Sequence, residues 1–112
     1  MKLLRTAALA LMTPLFLLSI AAANAESAER TAVARGEALA WQHRCMTCHG
    51  ETGMSVDKRY PRLAAQQEAY IVDRLKYFKS EQEPFNQMNG QARPLSEADM
   101  QDLAAYYSAQ RR

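Results

Sequence analysis

The chain has 112 residues and a formal net charge of +2, with 48% hydrophobic, 8% aromatic and 23% charged residues. These values exclude a multidomain protein, a polytopic membrane protein and a collagen-like chain. The averages hide a division, because residues 1–25 hold 18 of the apolar residues and all 12 acidic residues lie after Asn24.

Residues 1–25 read as a cleaved secretory signal. Met1 to Arg5 is a short positive n-region, Leu9 to Met12 and Leu15 to Leu18 form an apolar h-region, and Ala23-Asn24-Ala25 is an A-x-A cleavage site. The rival reading is an uncleaved membrane anchor. Thr13-Pro14 and Ser19 interrupt the stretch, and a spanning helix wants about 20 predominantly apolar residues. The expected mature domain is 26–112, with no second apolar stretch. Lys2 and Arg5 leave with the signal, so 12 Lys and Arg face 12 Asp and Glu. The basic balance of the whole chain therefore gives no support to nucleic-acid binding.

The mature part reads as all-α, with three main helices and two long loops. Ala28 to Arg44 is Ala-rich and free of proline, with Ala34, Leu39, Ala40 and Trp41 able to share one side. Gly50 to Gly53 forms a turn, and Val56 to Arg62, with Pro61, a loop. Gln66 to Lys79 carries Tyr70, Ile71, Leu75 and Phe78 in a helical stripe. Ser80 to Pro94 is expected to be a second loop. Ser96 to Asp99 resembles a capping box, and Met100, Leu103, Ala104 and Tyr107 follow at i, i+3, i+4 and i+7. Loops of that length signal function or a missing constraint. About 87 residues make a thin core, so a large apolar object is expected in the middle.

The only two cysteines stand in Cys45-Met46-Thr47-Cys48-His49, a C-x-x-C-H pattern. On one helical turn both thiols project the same way and can reach two vinyl groups on one porphyrin edge. His49 then brings an imidazole to the iron. Three rivals are weaker. A Cys45–Cys48 disulfide closes a tiny loop and stabilises little. A thioredoxin-like pair wants a βαβ setting. Zinc wants four ligands, and His43 is the only other histidine.

With these residues in view, the sequence resembles a class I, single-haem cytochrome c of the short bacterial periplasmic type, like one half of the two-haem cytochromes. The resemblance spans nearly all of 36–110. It rests on Gly36 to Ala40, Cys45 to Gly50, and Pro61 to Ala64 with Gln66. It continues through Tyr70 to Leu75, Phe78-Lys79, Met88, Leu95-Ser96 and Asp102 to Tyr107. Two departures are visible. Ala65 stands where many members have glycine, and Gly36 lies nine residues before Cys45 where eight is frequent. The resemblance implies a small fold wrapped around one covalent haem c, with Cys45 and Cys48 as thioether attachments and His49 as axial iron ligand. It also implies that the Pro61 carbonyl accepts the other ring N–H of His49.

A second axial ligand is needed if the iron is to carry electrons rather than bind gas, and a soft thioether raises the potential. Met46 lies within the haem motif, Met54 only five residues after His49, and Met100 in the last helical stripe. Met88 is the expected ligand: it lies in a polar loop, far enough along the chain to pass around the ring, and the family places its ligand methionine about there. His43 is the runner-up. Trp41, Tyr60, Tyr70, Phe78 and Tyr107 are expected as core or pocket wall, and Arg62 and Arg93 as candidates for haem propionates.

The expected function is soluble electron transfer between transient redox partners, without catalysis. A sensor or peroxidase-like protein with a labile sixth ligand, and a subunit of a larger dehydrogenase or oxidase, are the alternatives. Lys58, Arg59 and Arg62, with Lys76 and Lys79, form a basic cluster to weigh as a docking surface.

Overall fold

The computed structural model describes residues 13–112. The expected n-region and the first part of the apolar stretch lie outside the described residues. Five helices and no strand occur among those described: α1 Thr13–Gln42, α2 Met46–His49, α3 Glu68–Lys79, α4 Gln87–Ala92 and α5 Glu97–Ser108. The chain divides into two compact units at Arg30 and Thr31. In the first, Phe16, Leu17 and Leu18 are exposed and Glu26 pairs with Arg30 at 3.3 Å. No described helix is long and apolar enough to cross a membrane.

The first helix begins well before the expected Ala28. No proline or glycine lies between Pro14 and Gly36 to break it. The Leu- and Ala-rich residues that follow are strong helix formers. The buried side of this helix also differs from expectation. Gly36 and Ala40 are buried, Val33 and Leu39 are half-buried, and Ala34 and Trp41 face solvent. The reason is a close crossing with α5. A Cβ on Gly36 would lie 1.9 Å from the Asp102 carbonyl oxygen. Arg35 straddles the same point, with Nε and Nη2 2.7 and 2.8 Å from the Asp102 carboxylate.

α5 is the most buried element. Its expected stripe of Met100, Leu103, Ala104 and Tyr107 is buried, joined by Ala105 and Tyr106. The capping box forms as expected. The Asp99 N–H donates to Ser96 Oγ at 3.0 Å and the Ser96 N–H donates to Asp99 Oδ2 at 2.9 Å. α3 packs on both α4 and α5. Its stripe is only partly covered, because Tyr70, Ile71, Leu75 and Phe78 all line one cavity.

The expected 80–94 loop needs correction, since it contains α4. The helix has six residues with Gly90 inside it, too short and too poor in propensity to leave a periodic signal. Asn86 is what starts it, as a side chain that caps the first turn.

Candidate functional site

Everything around Cys45 follows from how α1 ends. Arg44 takes a left-handed conformation with φ 59°. Its N–H bonds the Trp41 carbonyl at 3.1 Å, and the Cys45 N–H reaches back to the Ala40 carbonyl at 2.9 Å. This 6→1 and 5→2 pair closes the helix in a Schellman turn and sets Cys45 at the start of α2. That helix is a single turn. The His49 N–H donates to the Cys45 carbonyl and the Gly50 N–H to the Met46 carbonyl, both at 3.0 Å. Three residues apart, Cys45 and Cys48 share a side and line the cavity with Thr47 and His49. Met46 packs on the hydrophobic core instead. The two sulfurs are not bonded to each other, and burial pushes the Cys45 thiol up from its ordinary pKa.

His49 is buried, and its Nδ1 lies 2.9 Å from the Pro61 carbonyl oxygen. A carbonyl only accepts, so Nδ1 carries the proton and donates. In the neutral ring Nε2 is then left with a free lone pair. The Tyr60 ring meets the imidazole edge-on at 6.3 Å between centroids. The segment that carries Pro61 is stitched in place. The Gly53 carbonyl accepts from Leu63 and Ala64 at 2.9 and 3.2 Å, and the Ala65 N–H donates to the Tyr107 carbonyl at 3.0 Å. Position 53 must be glycine: φ is +82°, and a Cβ would lie 2.7 Å from the Ala64 nitrogen and 2.9 Å from Tyr107 Cδ1. Ala65 itself has φ 57°, which explains why glycine is frequent there in the resembling sequences.

On α4, Asn86 Oδ1 accepts from the Met88 N–H at 2.8 Å, and Asn89 Nδ2 donates to the Glu83 carbonyl at 2.8 Å. Met88 is therefore on a capped helical turn rather than in the expected free loop. Among the described methionines it is the one that lines the cavity. Met100 is core and Met54 half-buried elsewhere.

The cavity has a volume of about 1010 Å³, just above the roughly 300–1,000 Å³ range of small-molecule and cofactor sites. Its walls gather the thiols of Cys45 and Cys48, His49, Met88 and the apolar stripe of α3. Tyr107 lines it with a buried hydroxyl that has no partner. This donor set fits one covalent c-type haem. It does not fit zinc, since no group of three His, Cys, Asp or Glu is placed to hold a metal among the described residues.

Tyr60, Tyr70, Phe78 and Tyr107 form cavity wall as expected, whereas Trp41 is 57% exposed and outside it. His43 and Arg62 also line the cavity. Arg93 does not, and pairs with Glu81 at 2.6 Å. Of the basic cluster, Arg59 is held by Asp57 at 2.7 Å, Lys76 by Glu97 at 2.8 Å, and Lys79 by the Leu95 carbonyl. The sequence reading missed the lip formed by Pro84 and Phe85. Phe85 is fully exposed with φ 63°, a conformation that no local pattern announces.

The family model for cytochrome c matches residues 33–109. The chain belongs to the cytochrome c family. With one C-x-x-C-H motif it is a single-haem cytochrome of class I, and Cys45, Cys48 and His49 fit one covalently bound c-type haem. The cytochrome is 45% identical over 65 residues to the thiosulfate dehydrogenase electron acceptor of Thiomonas intermedia, covering 57% of this chain and 30% of that protein. It is 36% identical over 90 residues to cytochrome c4 of Stutzerimonas stutzeri, covering 70% of this chain and 43% of that one. Over 69 residues it is 35% identical to cytochrome c-554(548) of Halomonas halodenitrificans, covering 59% of this chain and 83% of that one. The cytochrome thus spans 30–43% of the length of the first relatives it matches.

Proposed function

We propose that this cytochrome is a soluble one-electron carrier of the periplasm, not an enzyme, with His49 and Met88 as the two axial ligands of its haem iron. The bound haem supplies reversible one-electron chemistry at iron. The protein's own residues determine the rest. Cys45 and Cys48 anchor the group on one side. The Nδ1–H of His49, held by Pro61, fixes the ring tautomer and leaves Nε2 for the iron; such a bond also makes the ligand more basic. Met88 offers a soft sulfur that favours the reduced state. His43 serves less well, because it stands on the same stretch of chain as Cys45 and His49, whereas α4 is a separate element. With two protein ligands no coordination position is open to oxygen or peroxide.

The observation that carries this reading is that the two thiols, the His49 ring and a single methionine line one cavity. Residues 1–25 serve as a cleaved export signal in this proposal, and the partners are transient redox proteins. The relative named as an acceptor for thiosulfate dehydrogenase supports a dehydrogenase as the class of donor. A redox titration of the purified holoprotein with spectra of both states tests the proposal. A six-coordinate haem c with a sulfur-to-iron charge-transfer band, inert to carbon monoxide and cyanide at short times, is expected. A five-coordinate spectrum, or rapid ligand binding, would mean a sensor or peroxidase-like site.

A further inference from the structure

Hydrogen bonds converge on Glu83, just ahead of α4. Its carbonyl accepts from the Asn86 N–H at 3.3 Å and from Asn89 Nδ2 at 2.8 Å, and its Oε1 accepts from Asn86 Nδ2 at 3.1 Å. Met88 stands between the two asparagines, with its own N–H on Asn86 Oδ1. Phe85, inside the turn that these bonds close, is held at φ 63°. That left-handed backbone is unfavourable for a bulky L-residue. The Phe85 ring is fully exposed, so packing of the side chain does not hold it there. The bonds to Glu83 do.

Asn89 is the telling member. It is buried at 7% exposed and lies outside the cavity lining. Its Nδ2 is spent on Glu83, while its Oδ1 is buried with no hydrogen-bond partner among the described residues. A buried polar atom left unpaired costs stability, and an apolar side chain of the same shape avoids that cost. Stability alone therefore gives asparagine little advantage over leucine here. What leucine lacks is the N–H that reaches back across Phe85 to the Glu83 carbonyl.

We infer that Asn89 is a positioning residue: through Glu83 it latches the strained turn at Phe85 and so fixes where the Met88 sulfur stands at the cavity. This rests on the axial role proposed for Met88. The effect passes through the backbone. With the latch gone, Phe85 relaxes out of its left-handed conformation, the start of α4 moves with it, and Met88 is carried from its place in the lining. The two Asn86 bonds that remain are longer, and the one to Glu83 Oε1 is exposed, where water competes for it.

The experiment uses the holoprotein variants Asn89→Leu and Asn89→Ala. Both remove the donor; the first keeps the side-chain volume and the second suits a helix. Ser96→Ala, at the cap of α5 and outside the cavity lining, controls for a general loss of stability. Each protein is read for melting temperature and for the rate at which cyanide binds the ferric form. An outside ligand must wait for the sulfur to leave the iron, so this rate reports the latch. Losing one net hydrogen bond shifts such an equilibrium by about two- to tenfold. Cyanide binding faster by about that factor is expected in both Asn89 variants, and the wild-type rate in Ser96→Ala despite its lower melting temperature. A wild-type rate in either Asn89 variant overturns the inference, as does an equal rise in Ser96→Ala. If neither Asn89 variant accumulates, Phe85→Asn decides. Asparagine is at ease in left-handed backbone and takes load off the latch, so slower cyanide binding supports the inference and an unchanged or faster rate overturns it. A wild-type holoprotein without the sulfur-to-iron band would instead remove the axial role of Met88, so the two failures are distinguishable.

Discussion

Replacing Met88 by alanine removes the one methionine among the described residues that lines the cavity. The charge-transfer band should vanish, the potential should fall as the soft ligand is lost, and carbon monoxide should bind the ferrous form. Met100→Leu should keep the band, with a stability change under about 1.5 kcal/mol from repacking; absorption spectra and melts of both variants check this. A band that survives in Met88→Ala would assign the iron to another ligand. Ala65 makes a second point at this scale. An alanine held at φ 57° is strained, by roughly 1–2 kcal/mol for a left-handed L-residue. Glycine relieves the strain but loses more backbone entropy on folding. Ala65→Gly should therefore stabilise the holoprotein by about 0.5–1 kcal/mol, read from denaturant midpoints.

The helices show which local signals carry through to structure. The α5 capping box and stripe were legible because both are written in consecutive residues, Ser96 to Asp99 and Met100 to Tyr107. Ser96→Ala should cost about 1 kcal/mol. Its pH dependence has a definite sign. The Ser96 N–H and hydroxyl hold the Asp99 carboxyl below its ordinary pKa. A lowered folded value contributes stability above the ordinary carboxylate range and loses it as the pH falls through the lowered value. The gap between wild type and Ser96→Ala should accordingly narrow in acid, as melts across a pH series would show. The buried side of α1 was not legible. Ala34 and Trp41 fit a helical stripe as well as Val33 and Gly36 do, and only the 1.9 Å approach to the Asp102 carbonyl selects between them. α4 was missed because a capping asparagine before six residues leaves no period to count.

At the scale of the whole molecule, the core explains why the cofactor is structural. Of the eleven buried hydrophobic residues among those described, five are alanine, so little apolar area is removed from water. The α3 stripe faces the cavity rather than protein. A chain with Cys45 and Cys48 both changed to alanine, and so without attached haem, should show much less helix by far-ultraviolet circular dichroism than the holoprotein. Native-like helicity without haem would contradict this. The haem motif with His49 could be picked out in the sequence because C-x-x-C-H is chemically unusual, whereas Met88 was singled out as a loop residue and lines the cavity from a helical turn. The cavity itself could not be picked out, since its walls come from residues more than fifty positions apart, from Cys45 to Tyr107.

α4 implies a timetable for opening. It is six residues long and contains a glycine, and one asparagine side chain caps its first turn. α5 is twice that length and presents six buried residues. Local opening draws first on segments with few buried contacts. Amide deuterium uptake from Met88 to Ala92 should run well ahead of uptake in Leu103 to Tyr107. Under the proposed ligation by Met88, warming would free that residue first, while Cys45 and Cys48 would still hold a covalently attached haem to the chain. Return to the native state would then be a matter of re-seating one short turn, not of finding the cofactor again.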